Sequence, residues 1–112
     1  MAETFKNNNG VAVTSTEADL YVCPAATTAV VISVRVTNVD GVSDDTVNVK
    51  VTTAADVNMS HLAKEMSVPA DTSLELAGTS KIVLEAGEKL RIQGAAASGD
   101  LEAFVSVLEI TA

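Results

Sequence analysis

His61 and Cys23 are the only histidine and the only cysteine in the chain, so nucleophilic chemistry would have to be built around one of them or around carboxylates. A Ser-His-Asp arrangement needs its nucleophile on a strained turn, and no G-x-S-x-G stretch is present to supply one. His61 lies in an alternating polar stretch and reads as a surface or capping residue. Cys23 ends an apolar run and is followed by Pro24. Free cysteine behaves as a small hydrophobe, so a packing role is the default. Asp40, Asp44 and Asp45 crowd one acidic turn, "VDGVSDD". Calcium takes several oxygens, but this spacing is not that of an EF-hand loop, and aspartates are common in solvated turns. Glu85 and Glu88 flank Gly87 in a second turn of the same kind. Sugar binding calls for aromatic platforms, and Tyr21, Phe5 and Phe104 are the only rings. No catalytic residue, no cofactor and no metal is assigned, and the chain reads as a non-enzyme.

Charge narrows the partners. Fifteen acidic residues outweigh seven basic ones, for a net charge of −8 and a pI near 4.3. Binding a phosphate backbone requires clustered Lys and Arg to release counterions. Seven scattered cations do not make such a surface, which argues against nucleic acid and equally against an anionic membrane. One cysteine excludes an intrachain disulfide, as suits a protein made in a reducing cytoplasm. The opening "MAETFKNNNG" has no apolar core of a secretory signal, and no apolar run approaches the roughly 20 residues of a membrane helix.

The elements that would position any site are strands. The 112 residues suffice for one domain with one core. Hydrophobic residues make up 47%, yet aromatics only 3%, so the apolar content is mostly Val, Ala, Leu and Ile. Branched side chains pack well on a pleated surface. Residues 1–10 are polar and are expected to form a flexible N-terminal arm, with the domain spanning 11–112. From Val11 onward short alternating runs are separated by turn residues. "VVISVRVTNVDGVSDDTVNVKVTT" reads as a hairpin around Asp40-Gly41. Period-2 alternation puts Val30, Ile32, Val34 and Val36 on one face of its first strand. Val47, Val49 and Val51 face inward on its second. The stretch 60–68 suits a short helix by propensity, but its neighbours favour a strand, and a strand is expected. The sum is about eight strands: an all-β, single-domain antiparallel β-sandwich, jelly-roll-like in its spacing.

The last strand, "LEAFVSVLEIT", is apolar on both sides. Leu101, Ala103, Val105 and Val107 share one face, while Phe104, Leu108 and Ile110 share the other. A sandwich buries only one face of each sheet, so the second set needs a cover, from a loop, the N-terminal arm or another subunit. Val31, on the nominal outer face of its own strand, is expected to join that patch. Phe5 and Lys6 of the arm complete the candidate protein contacts.

The stretches "DLYVCPAATTAVVISVRVTNVDG", "VNVKVT", "VPADTSLEL", "SKIVLEAGEKLRI" and "DLEAFVSVLEI" together resemble small β-sandwich structural proteins of tailed phages. The shared marks are the strand, the "PA" break, the long Val-rich strand ending in "VTN" and the late Leu-x-x-Gly-Glu turn. They are architectural and carry over no functional residue. The resemblance implies a virion protein made in the host cytoplasm, a capsid decoration or cement protein bound to the major capsid protein or another virion component. It also implies many copies and a homo-oligomer, with a trimer favoured by the three-fold sites of capsid lattices. The alternatives are a neck, tail or fibre-adaptor component, or a glycan-binding attachment module.

Overall fold

A computed structural model describes residues 2–8, 10–77, 81–96 and 99–111. Among them are ten strands and no helix: β1 (Ala2–Asn7), β2 (Val11–Val13), β3 (Ala18–Val22), β4 (Thr27–Asn38), β5 (Asp45–Thr52), β6 (Asn58–Val68), β7 (Ser73–Glu75), β8 (Ile82–Leu84), β9 (Lys89–Gly94) and β10 (Leu101–Thr111). They form two antiparallel sheets. In the first, β10 and β4 lie at the centre; β1 and β2 share the outer side of β10, and β7 and β8 share the outer side of β4. The second runs β3-β9-β5-β6.

Counting β1 with β2 and β7 with β8 as two interrupted strands leaves eight positions. The first then pairs with the last, the second with the seventh, the third with the sixth and the fourth with the fifth. This nesting is that of one long antiparallel ribbon wrapped over itself, the jelly-roll winding. The expected β-sandwich is therefore present, and 60–68 lies within a strand.

The core between the sheets is aliphatic. Val34, Val36 and Val105 of the first sheet and Val47, Val49, Leu90 and Ile92 of the second are fully buried or nearly so. Sheets pack about 10 Å apart, and aliphatic side chains from both sides fill most of that gap, with the Tyr21 ring packed against them. Strand β5 alternates as its sequence demands, with Val47, Val49 and Val51 inward.

Three expectations are corrected. The stretch from Val30 to Thr53 is no hairpin: β4 pairs with β10, β7 and β8, whereas β5 pairs with β6 and β9. Both strands point valines at one core, and this is satisfied when they face each other across it. The Val39–Asp44 loop carries the chain from sheet to sheet. Buried Asn38 holds its mouth, donating from Nδ2 to the carbonyls of Ser43 (3.0 Å) and Val68 (2.8 Å). Asp40 Oδ1 accepts from the amides of Val42 (2.8 Å) and Ser43 (3.2 Å).

Next, the N-terminal stretch expected as an arm is strand β1, in register with β10 from Ala2↔Thr111 to Asn7↔Ser106. Finally, Val31 is 0% exposed and belongs to the core. Ser106 pairs with Ser33 but Val107 pairs with Val31, so Ile32 is an extra residue, a β-bulge, in β4. A bulge shifts the side-chain phase by one. Thr27, Ala29 and Val31 point inward before it, and Val34, Val36 and Asn38 after it. Val30 and Ile32 are left half-buried on the outer face.

Two substitutions read out this phase. Val31→Asp buries a charge in an apolar core and is expected to abolish cooperative folding, while Ile32→Asp leaves a folded protein with normal thermal unfolding. A regular, unbulged strand would give the reverse order in circular-dichroism melts.

Candidate protein interface

The outer surfaces of the two sheets differ in kind. On the second sheet the cross-strand neighbours Asp19, Arg91, Lys50 and His61 form a polar row. Arg91 Nη1 lies 2.6 Å from Asp56 Oδ1 and 3.5 Å from Asp19 Oδ1. Its Nε is 3.1 Å from Glu17 Oε1, close enough for attraction but not aligned as a hydrogen bond. Lys50 Nζ reaches Glu17 at 3.1 Å, and Lys89 Nζ reaches Asp56 at 2.9 Å. Hydrogen bonds from Lys89 and Arg91 hold the Asp56 carboxyl below the usual carboxylate range. The bond to Asp56 in turn raises the Arg91 guanidinium. With Lys6 also paired, four of the seven basic residues are engaged by acids of the chain itself.

The first sheet presents the opposite surface. Phe5 of β1 pairs with Leu108 of β10, Leu108 with Val30 of β4, and Val30 with Val83 of β8. Directly opposite residues share a face with their Cβ atoms about 5 Å apart. Four apolar side chains thus cross the whole outer face in one row. Phe5 is 76% and Val83 57% exposed. Ile110 and Ile32, both half-buried, lie on either side of the row. Further along β10 the ring of Phe104, 43% exposed, helps to line a groove of about 390 Å³ with Arg35, Thr37, Glu102 and Ala12.

Of the six contact residues expected from sequence, Phe5, Phe104, Leu108 and Ile110 come together on this face. Lys6 does not: it points to the inner side of β1, where its Nζ lies 3.2 Å from Glu109 Oε1. Val31 does not either, being in the core. The residues that sequence reading missed are Val30, Ile32 and Val83. The run Val30-Val31-Ile32 is apolar throughout and gives no sign of where a bulge falls.

Next to the bulge, on the side of β4 away from β10, sits Glu75, 42 residues after Ser33. Its Oε1 accepts from the Ser33 hydroxyl (2.7 Å), and its Oε2 from the amides of Val34 (2.9 Å) and Ala77 (3.0 Å). Burial works to raise this carboxyl, but the bonds from Ala77, Ser33 and Val34, with the charge of Arg35, outweigh it and bring it below its ordinary value.

The groups considered for chemistry have structural roles. Cys23 is buried, its thiol donating to the Thr27 carbonyl at 3.3 Å. Burial pushes that thiol up, against a smaller lowering by the Ala29 amide, so little reactive thiolate forms. Besides Asp40, Asp44 Oδ1 accepts from the Ala70 amide and Asp45 Oδ1 from those of Thr46 and Ala95, each tying down a different stretch. Among the described residues no three His, Cys, Asp or Glu side chains gather as a metal site. His61 is exposed on edge strand β6.

No protein-family model and no curated protein matches the chain.

Glu75 gives a pH-dependent expectation. Its folded pKa is depressed, so its contribution is full above the unfolded value of about 4.3 and is lost as pH falls through the folded value. The carboxylate is solvent-exposed, which screens its bonds, so Glu75→Gln is expected to cost about 1 kcal/mol at pH 7, or roughly 4 °C in Tm. It should also flatten the loss of stability below about pH 4. Calorimetry of both proteins across that range checks it; parallel pH curves would remove Glu75 as a stabilising tie between β4 and β7.

Proposed function

We propose that this chain is a non-enzymatic structural protein of a tailed-phage particle, decorating or cementing the capsid through the outer face of the first sheet. The observation that carries this reading is the apolar row Phe5–Leu108–Val30–Val83 on an otherwise solvated sheet face. Contiguous exposed apolar surface rimmed by polar groups marks protein contact. The opposite face, with Lys50, Lys89 and Arg91 paired to acids, suits water. The particle assignment comes from the resemblance of the strand and turn pattern to phage β-sandwich proteins, and the residues agree with it. A compact, acidic domain with one buried cysteine suits a protein held soluble at high concentration before assembly. On a repeating lattice, avidity lets a modest contact suffice.

The deciding measurement is copy number per particle, by quantitative mass spectrometry of purified virions against the major capsid protein. Hundreds of copies are expected. About a dozen would move the protein to the neck or tail, and absence would end the virion reading. Val83→Lys and Phe104→Lys, both at exposed positions, are expected to reduce retention on particles at least tenfold while leaving Tm within about 2 °C. Full retention in both variants would exclude this face as the contact.

A further inference from the structure

Sheet edges invite pairing with other chains, and stable β proteins blunt them with bulges, short strands or charge. Three of the four edges among the described residues are blunted in this way. Strand β3 carries a register shift at Leu20. Strand β6 has three register shifts, and its Glu65 adopts φ +49°. The β7/β8 edge consists of two strands of three residues each. Strand β1 is different. Its six residues run in unbroken register with β10, and all six are exposed.

The geometry fixes which backbone groups β1 turns outward. The Asn8 amide donates to the Val105 carbonyl at 3.2 Å, so position 8 faces β10. Antiparallel alternation then turns the backbone of Lys6, Thr4 and Ala2 toward β10 and that of Glu3 and Phe5 toward the open edge. Asn8 fixes this phase, its Oδ1 accepting from the amides of Val105 (3.0 Å) and Gly10 (3.1 Å).

We infer that two copies of this chain pair through β1, antiparallel, about a two-fold axis at Phe5. A two-fold perpendicular to the sheet keeps the outer face outer, so only residues of like parity can stand opposite each other. Centring the pair on Phe5 sets Phe5 against its symmetry mate and Thr4 against the other copy's Lys6. The apolar row that ends at the exposed Phe5 ring then continues unbroken into the second copy. Charge favours this occupant: β1 holds one Glu and one Lys, so it is locally neutral in a chain of net charge −8. Such an interface is isologous and closes on itself. It takes the place of the three-fold assembly expected from lattice geometry and does not depend on the capsid reading.

A six-residue strand pair buries less than the roughly 1,200 Å² of a standard stable interface, so dissociation in the range of about 10–100 μM is expected. Light scattering on the isolated protein from about 10 μM to 1 mM should show a monomer–dimer equilibrium. Phe5→Lys, which sets like charges on the axis, should weaken it at least tenfold with Tm unchanged. Phe5→Cys should cross-link under mild oxidation, since opposed Cα atoms about 5.5 Å apart suit a disulfide. Thr4→Cys, opposite Lys6 of the other copy and on the other face, should not. A monomer at 1 mM would overturn the inference, as would equal cross-linking of the two cysteine variants. These readouts use no particle, so their failure leaves the capsid proposal standing, and a dimer absent from virions would do the reverse.

Discussion

The bulge at Ile32, with the Glu75 carboxylate bound beside it, governs both surfaces of the longest strand. Strand β4 must deliver apolar side chains to one core along twelve residues while pairing with β10 on one side and two short strands on the other. The extra residue shifts its phase midway. Beside the bulge, the Val34 backbone faces the gap between β7 and β8, where its carbonyl accepts from the Leu76 amide, and a buried amide left without a partner there costs about 1–3 kcal/mol. Glu75 meets the need by accepting from the Val34 amide and the Ser33 hydroxyl together. The same shift sends Val31 into the core and leaves Val30 and Ile32 outside. An interior constraint thereby creates the apolar outer row.

That row gains its meaning from the other sheet. Both outer faces are built by the same alternation, yet one carries Asp19, Arg91, Lys50 and His61 in line and the other Phe5, Leu108, Val30 and Val83. Exposed ion pairs contribute little to stability, typically below about 1 kcal/mol each. Their effect here is on the surface field: Glu17, Asp19 and Asp56 offset the charge of Lys50, Lys89 and Arg91, so these cations do not add up to a basic patch. One sandwich thus carries a charged outer face and an apolar one.

Period-2 patterning was legible wherever one strand met one core without interruption. Val47, Val49 and Val51 of β5 follow it, and the two-sided apolar character of β10 put Phe104, Leu108 and Ile110 on the face away from the core, although Phe104, expected to be buried there, is 43% exposed. Pairing partners were not legible, because inward valines look alike whether two strands lie side by side or face to face. The Asp40-Gly41 turn therefore suggested a hairpin, where the loop instead crosses between sheets with Asn38 bracing it. Nor was the phase of Val30-Val31-Ile32 legible, since it is set in the pairing with β10, more than seventy positions away. The polar "KNNNG" stretch suggested an arm because β1 buries none of its side chains; backbone pairing with β10 leaves no trace in hydropathy.

Besides its backbone pairing with β10, β1 meets a small polar cluster at the rim of the core. Glu109 points inward from β10 and is buried. One of its oxygens accepts from the Tyr21 hydroxyl of β3 at 2.6 Å, and the other lies 3.2 Å from Lys6 of β1. Burial and the Glu109 carboxylate push the Tyr21 phenol well above its ordinary value, so it stays a donor. The carboxylate thus joins the two sheets and the first strand at one point. Lys6 is drawn to the inner side, and alternation then commits Phe5 to the outer one. The polarity of the rim decides the orientation of the edge, and with it which side chains the strand turns outward.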